Sequence, residues 1–427
     1  MPATNAKKPI IAWALYDWAN SAFATTVIAA FFPVFFKSYW SAGSDVTEST
    51  FQLGLANSLS SLIVVLLAPL LGAIADQGGT RRKFLFAFAF LGVLATGCLY
   101  MVAQGAWELA VVVYVLAAIG FSGGNTFYDA LIVEVAGRDK SDSVSALGYS
   151  LGYLGGGLLF ALNVVMVLHP TTFGLADASE AVRVCFLLVA IWWAGFSLPL
   201  FLWVEESPPV RAHRGWSAVA AGYRQLIATG RDIRQLRTTF VFLIGYWLYI
   251  DGVDTIIRMA IDYGLSLGLA TNDLLLALGL TQFVGFPAAI AFGWLGERIG
   301  TRKGIFIGLA VYVAATVWGY FLNAVWEFYA LAVAVGLVQG GVQALSRSLY
   351  SRLIPRDRAA EFFGFYNMLG KFAAVIGPVL VGWIGVLTGS PRVGILSIVV
   401  LFIAGGACLY FVDEERGSAA ARAMEAV

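Results

Sequence analysis

Apolar runs long enough to cross a bilayer recur along the whole chain, separated by short polar segments that hold most of the charge. A spanning helix needs about 20 predominantly apolar residues, and by that measure the pattern predicts twelve. Six lie at about 10–36, 51–74, 84–103, 107–135, 143–168 and 181–204. Six more follow at about 239–266, 272–295, 304–323, 325–352, 361–388 and 391–412. The polar interval between the sixth and seventh divides the chain into an N-terminal unit, 1–204, a linker, 205–238, and a C-terminal unit, 239–427. The linker opens with Ser207-Pro208-Pro209 and then turns to helical spacing. Trp216, Val219, Ala220, Tyr223, Leu226 and Ile227 mark one side, and Arg224, Arg231, Arg234 and Arg237 another. An amphipathic helix on the inner membrane surface, joining two bundles, is the expectation.

Composition removes the soluble alternatives. With 59% hydrophobic and 12% charged residues and a mean hydropathy of +0.80, the chain cannot build a soluble surface, which takes about a quarter charged residues. A net charge of +1 gives no footprint for nucleic acid. Its distribution is the informative part: 21 of the 27 Lys and Arg fall in alternate segments that include both chain ends, while the opposite loops hold only Lys37, Arg183 and Arg392. The basic side is the cytoplasmic one, so both termini are expected inside and the membrane is expected to be the cell (inner) membrane. Cys98, Cys185 and Cys408 all lie within apolar spans, which suggests neither a disulfide framework nor a metal cluster. His169 and His213 sit in loops, so a proton relay would use carboxylates. No cofactor is called for, and no cleavable leader is visible.

Two copies of one loop set the symmetry. Gly72 to Lys83 reads GAIADQGGTRRK, and Gly293 to Lys303 reads GWLGERIGTRK. Each has a Gly four residues before an acid (Asp76, Glu297), a second Gly (Gly79, Gly300) and a basic ending (Arg81 and Arg82; Arg302 and Lys303). In such a hairpin the first Gly lets two helices approach, the acid can cap amides of a neighbouring helix, and the basic pair stays in water. The loop resembles the G-x-x-x-D-R-x-G-R-R hairpin of the major facilitator superfamily, with Gln77 where the family has a basic residue and Thr80 interrupting the ending. A shift of 218 residues also pairs Arg138-Asp139-Lys140 with Arg356-Asp357-Arg358, Asp129 with Arg347, and Glu134 with Arg352. Two pseudo-symmetric six-helix bundles with a path between them are expected, an all-α major facilitator fold.

Charges inside the spans are the candidate path, because each costs about 2.5–3.5 kcal/mol at a helix centre unless it faces water or a partner. Asp17 and Asn20 share a face of the first span, Asn125 and Asp129 of the fourth, and Gln339, Gln343 and Arg347 of the tenth. Asp129, Arg347 and Asp17 should lie at one depth, giving an inner gate in which Arg347 pairs with Asp129 or Asp17, or else a fixed structural ion pair. The seventh span carries Asp251, Asp254, Arg258 and Asp262 on one stripe. Arg258 can satisfy Asp254 and Asp262, which leaves Asp251 the least compensated. Lys371, with Asn367 one turn before it, approaches the midplane from the eleventh span.

The octet Tyr16 to Phe23, followed by Phe32-Pro33, resembles the opening signature of the vacuolar-effluxer-like branch, related to fungal autophagy-associated amino-acid exporters. The resemblance implies a secondary transporter with amino-acid efflux by alternating access. Lys371 as anion site and Asp251 or Asp254 as cation site would suit a neutral amino acid, and Asp17 or Asp251 could couple transport to protons. The partners expected are thus a small-molecule substrate, a coupling ion and the bilayer, and the carrier is expected to be monomeric. A sugar or drug carrier is the alternative within the class, and a receptor or channel the alternative outside it. No Ser/His, His/Glu or Cys/His constellation supports an enzyme.

Overall fold

The computed structural model describes residues 7–42, 46–137, 140–208, 216–232 and 236–425. Among them, the first six long helices are α1 Lys7–Trp40, α2 Val46–Gly78, α3 Arg81–Met101, α4 Trp107–Val135, α5 Ser141–Leu168 and α6 Ala178–Trp203. The second six are α7 Arg237–Ser266, α8 Thr271–Ile299, α9 Thr301–Tyr320, α10 Val325–Leu353, α11 Ala359–Thr388 and α12 Pro391–Tyr410. Ten are long and apolar enough to cross a membrane, while α2 and α11 carry the shorter apolar stretches Leu62–Gly78 and Ile376–Thr388. A linker helix, Trp216–Asp232, and a terminal helix, Glu414–Glu425, complete the described elements, which include no strand. In hydrocarbon each peptide group must be bonded within its own segment, which leaves the helix as the form open to these runs. Leu66, Phe90, Val112, Leu198 and Val386 stand on the outer surface, where lipid is as good a solvent for them as the interior.

Packing repeats between the halves. α1 lies against α5 and α6, α3 against α4 and α6, and α2 against α4. Six helices later, α7 lies against α11 and α12, α9 against α10 and α12, and α8 against α10. The halves meet through α2 with α11 and through α5 with α8, again an equivalent pair. Those seams close on small residues: a Cβ on Gly72 would fall 2.2 Å from the Ala360 carbonyl oxygen, and one on Gly293 2.5 Å from Ala146. The tight hairpins α2–α3 and α8–α9 turn at Gly79 (φ 56°) and Gly300 (φ 96°), both in the left-handed region that favours glycine.

Two elements differ from expectation. α1 runs on to Trp40 instead of ending near residue 36, through wider π-type turns at Phe23–Phe31 and Phe36–Trp40 that flank the short α-helical piece holding Pro33. A proline lacks the N–H and crowds the carbonyl four residues back, and widening the preceding turn accommodates both. The linker helix packs on α2 with Ala218, Ala221 and Gln225 buried, so one face belongs to the protein while Trp216, Val219, Tyr223 and Ile227 are exposed. Arg211, Arg214 and Arg234 of the linker, and Arg138 and Asp139 of the repeated triplet, lie outside the described residues.

Candidate functional site

Helices α1, α4 and α5 of the first half and α10 and α11 of the second bring charged and polar side chains together about six residues before the C-terminal end of α10. Arg347, 2% exposed, stands at the centre. Its Nη1 donates to Asp129 Oδ1 at 3.0 Å and to Asp17 Oδ2 at 3.4 Å, and its Nη2 also reaches Asp17 Oδ2 at 3.4 Å. Nε and Nη2 donate to the Ser145 hydroxyl and carbonyl, each at 2.9 Å. Tyr128 donates to Asp17 at 2.9 Å, and Asn367 to the second oxygen of Asp129 at 3.0 Å. The rings of Trp13, Tyr128 and Tyr149 stand 4.8, 5.5 and 4.3 Å from the guanidinium carbon. One cation from the second half is thus held by two carboxylates of the first, in a place where removing either partner strands a buried charge. Such an arrangement can close a path between the halves and can hold or release a proton as it opens.

The other path candidates are distributed differently. Asn20 donates to Asn125 at 2.5 Å, tying α1 to α4 one turn deeper than Asp17. On α7, Asp254 is half-buried and Arg258 exposed, and the side chains of Asp262 and Lys371 lie outside the described residues. Asp251, expected to be the least compensated acid, meets neutral main-chain and hydroxyl donors. It is 1% exposed and accepts from the Gly377 backbone N–H at 3.0 Å and from Thr255 at 3.4 Å. Its partner is the backbone of α11 just before Pro378, where the helix's own ladder is interrupted.

At the hairpin end the two repeats diverge. Asp76 accepts from the backbone amides of Ala360 and Glu361, at 3.1 and 2.9 Å, at the start of α11, where the helix dipole favours an anion. It also pairs with Arg81 Nε at 2.7 Å. Arg81 goes on to Glu134 at 3.0 Å and to the Arg356 carbonyl at 2.8 Å, and Arg82 donates to the Phe201 carbonyl at 2.5 Å. Glu297 holds no such place: it is exposed, and Asp142 at the start of α5 takes the buried position instead. Asp142 accepts from Thr301 at 2.7 Å and pairs with Arg352 at 3.2 Å. Arg302 donates to the Val412 carbonyl at 2.5 Å, and Lys303 faces out. Asp142, Tyr128 and Ser145 were not singled out by sequence reasoning. Asp142 and Glu361 did carry a signal, as acids in the first turns of repeat-partner helices.

Two cavities accompany these sites. An apolar one of about 130 Å³ lies among α7, α8, α9 and α10, lined by Ile257, Leu278, Thr316 and Leu331, with Thr281 and Gln339 adding polar atoms. A polar one of about 430 Å³ lies at the hairpin end between Arg81, Glu134, Gln225 and Arg358. Among the described residues no group of three His, Cys, Asp or Glu could hold a metal ion.

The repeated packing and the charge cluster across its seam define a transporter of the major facilitator type. Its fold matches that of the proton:xylose symporter XylE, with a TM-score of 0.74 over 98% of both chains at 14% identity. The family model "Vacuole effluxer Atg22 like" matches residues 5–140 and 132–422, and the chain belongs to that family. The chain is 38% identical over 94% of both lengths to "Uncharacterized MFS-type transporter YxiO" of Bacillus subtilis (strain 168). It is 27% identical to autophagy-related protein 22 of Yarrowia lipolytica, over 87% of this chain and 77% of that one.

Proposed function

We propose that the protein is a secondary carrier that exports a neutral amino acid by alternating access, coupled to protons, with Arg347, Asp17 and Asp129 as its cytoplasmic gate. The observation that carries the reading is the ion-paired cluster itself: Arg347 of one half is bound to Asp17 and Asp129 of the other. Two carboxylates against one guanidinium leave the cluster one negative charge in excess, and in a low-dielectric interior a proton on one acid balances it. Opening the gate exposes both acids to water, so a proton can exchange there once per cycle. The basic-residue distribution supports placing the hairpin end, both termini and the linker in the cytoplasm of a cell whose inner membrane holds the carrier. Half-buried Asp254 on α7 is the candidate for the substrate ammonium, and Lys371 on α11 for its carboxylate. Asp251, engaged with Gly377 in this state, is the second candidate for the ammonium.

Counterflow in proteoliposomes is the test. Vesicles preloaded with an unlabelled neutral amino acid should take up the labelled one transiently above equilibrium, with saturation, and an imposed proton gradient should change the initial rate. Exchange of sugars with no amino acid exchanged would overturn the substrate assignment. Flux without saturation or counterflow would overturn the carrier mechanism.

A further inference from the structure

The linker helix touches both halves at the point where they close. Gly222 sits on the end of α2, where a Cβ would meet the Ile74 backbone at 2.8 Å. From the next turn Gln225, itself buried, accepts a hydrogen bond from Gln77 of α2 and donates to Glu361 of α11 at 2.5 Å. Arg358, just before α11, reaches Thr229 of the same helix at 3.5 Å. The Gln225 amide thus spans the α2–α11 seam, and its two bonds coexist only while that seam is closed. Glu361 is fully buried, and among the described residues Gln225 donates to one of its oxygens with Thr229 beside it, so the amide helps satisfy this acid in the closed state.

The opposite face of the helix is of another kind. Trp216 is 87% exposed and Tyr223 58%, with Val219 and Ile227 continuing the stripe at helical spacing. Helix α2, on whose end the linker helix packs, leaves Leu62, Leu66 and Leu67 uncovered further along its length. The segment 205–238 holds six arginines, Arg211, Arg214, Arg224, Arg231, Arg234 and Arg237, against three acids, Glu205, Glu206 and Asp232. Aromatic and aliphatic residues on one side of the helix, in a segment whose sequence carries a basic excess, fit the boundary of an anionic leaflet.

We propose that this stripe binds the anionic inner leaflet and that the bound helix acts as a latch, the membrane holding Gln225 in place across the seam. The inference rests on the orientation and alternating access proposed above and adds that opening toward the cytoplasm requires the latch to give way. It predicts that the gate equilibrium depends on lipid charge through one helix that touches no substrate.

The test uses the full chain with Cys98, Cys185 and Cys408 replaced, in vesicles of phosphatidylcholine with or without phosphatidylglycerol. A nitroxide at Tyr223→Cys should be more accessible to oxygen than to a water-soluble nickel chelate, and more so with the anionic lipid. A second pair of labels, at the exposed positions Lys83 and Lys303, reports the distance across the hairpin end. Gln225→Leu should raise the ratio of open to closed forms about tenfold, equivalent to ~1.4 kcal/mol. Tyr223→Glu should shift it the same way, omission of phosphatidylglycerol should do so in the otherwise unaltered protein, and the Gln225→Leu/Tyr223→Glu double variant should go no further than the larger single. Should Tyr223→Glu not fold, Ile227→Gln tests the same stripe. A water-exposed label at position 223, a hairpin-end distance indifferent to Gln225→Leu, or an effect that follows protein-to-lipid ratio, as a second copy on the stripe would produce, would each overturn the proposal. These readings need no substrate, so they stand or fall apart from the amino-acid assignment.

Discussion

Arg347→Ala isolates the gate. The variant removes the guanidinium that five hydrogen bonds hold and leaves Asp17 and Asp129 facing each other without their cation. Breaking a buried ion pair by deleting one member costs about 3–5 kcal/mol. That cost falls on the closed form, because only there do the acids of the first half and the arginine of the second share a dry space. At ~1.4 kcal/mol per factor of ten, the ratio of open to closed forms should rise about 10²- to 4 × 10³-fold. Spin labels at Lys83 and Lys303 measure the ratio directly, as a transfer of population to a longer distance. Arg347→Lys, which keeps the charge but not the fork that reaches both acids and Ser145, should fall between. The exchanged pair Asp129→Arg with Arg347→Asp should recover part of the transport that either single variant loses. An unchanged distance distribution in Arg347→Ala would refute the reasoning outright. A double variant no better than the worse single would show that Asp129 is not the energetic partner and leave Asp17 in its place.

The hairpins should respond unequally despite their shared pattern. Asp76→Ala is expected to destabilise the protein by about 2–4 kcal/mol, because it takes one of the two carboxylates paired with Arg81 and uncaps α11. Glu297→Ala, at an exposed position, should stay within about 0.5 kcal/mol, and thermal unfolding in detergent compares the two. For topology, single cysteines at Ser38, Thr172 and Gly389 should react with an impermeant thiol reagent from outside, and one at Ser217 should not; the reverse pattern would invert the orientation. For substrate, Lys371→Gln should weaken binding of an amino acid far more than of its amide, and Asp254→Asn should spare N-acylated analogues while costing the free amino acid about 2–5 kcal/mol. Equal losses for all ligands in isothermal calorimetry would remove both residues from the recognition of charge.

The cluster was legible in the sequence because the repeat carries positional information. Residues 218 apart sit at the same depth in equivalent helices, so opposite charges at Asp129 and Arg347 stand ready to meet across the axis. Helix period then adds Asp17, since α1 and α4 both reach that depth. What the sequence withheld depends on backbone detail. Asp251 looks uncompensated as long as only charged side chains are counted, and it accepts from a main-chain N–H just before Pro378. Glu297 matches Asp76 in register, yet the α8–α9 turn leaves it in solvent and Asp142 fills the gap from α5. Neither outcome follows from spacing, because each depends on where neighbouring helices present their backbone and side chains. The length of α1 is a similar case, decided by how its turns widen around Pro33.

On the proposed cytoplasmic route the Arg347 cluster and the Asp76–Arg81 layer lie one behind the other, and the consequence is one of leakage. Solute or protons that slip past the first barrier meet the second, so stray passage needs both to fail at once. Were each barrier open about one part in a hundred, at a cost of ~2.8 kcal/mol, and independent, the pair would be open together about once in ten thousand. A carrier built this way would tolerate a loose inner lock without short-circuiting the proton gradient proposed to drive it. Weakening either barrier alone should therefore alter which side the carrier faces long before it makes the membrane permeable.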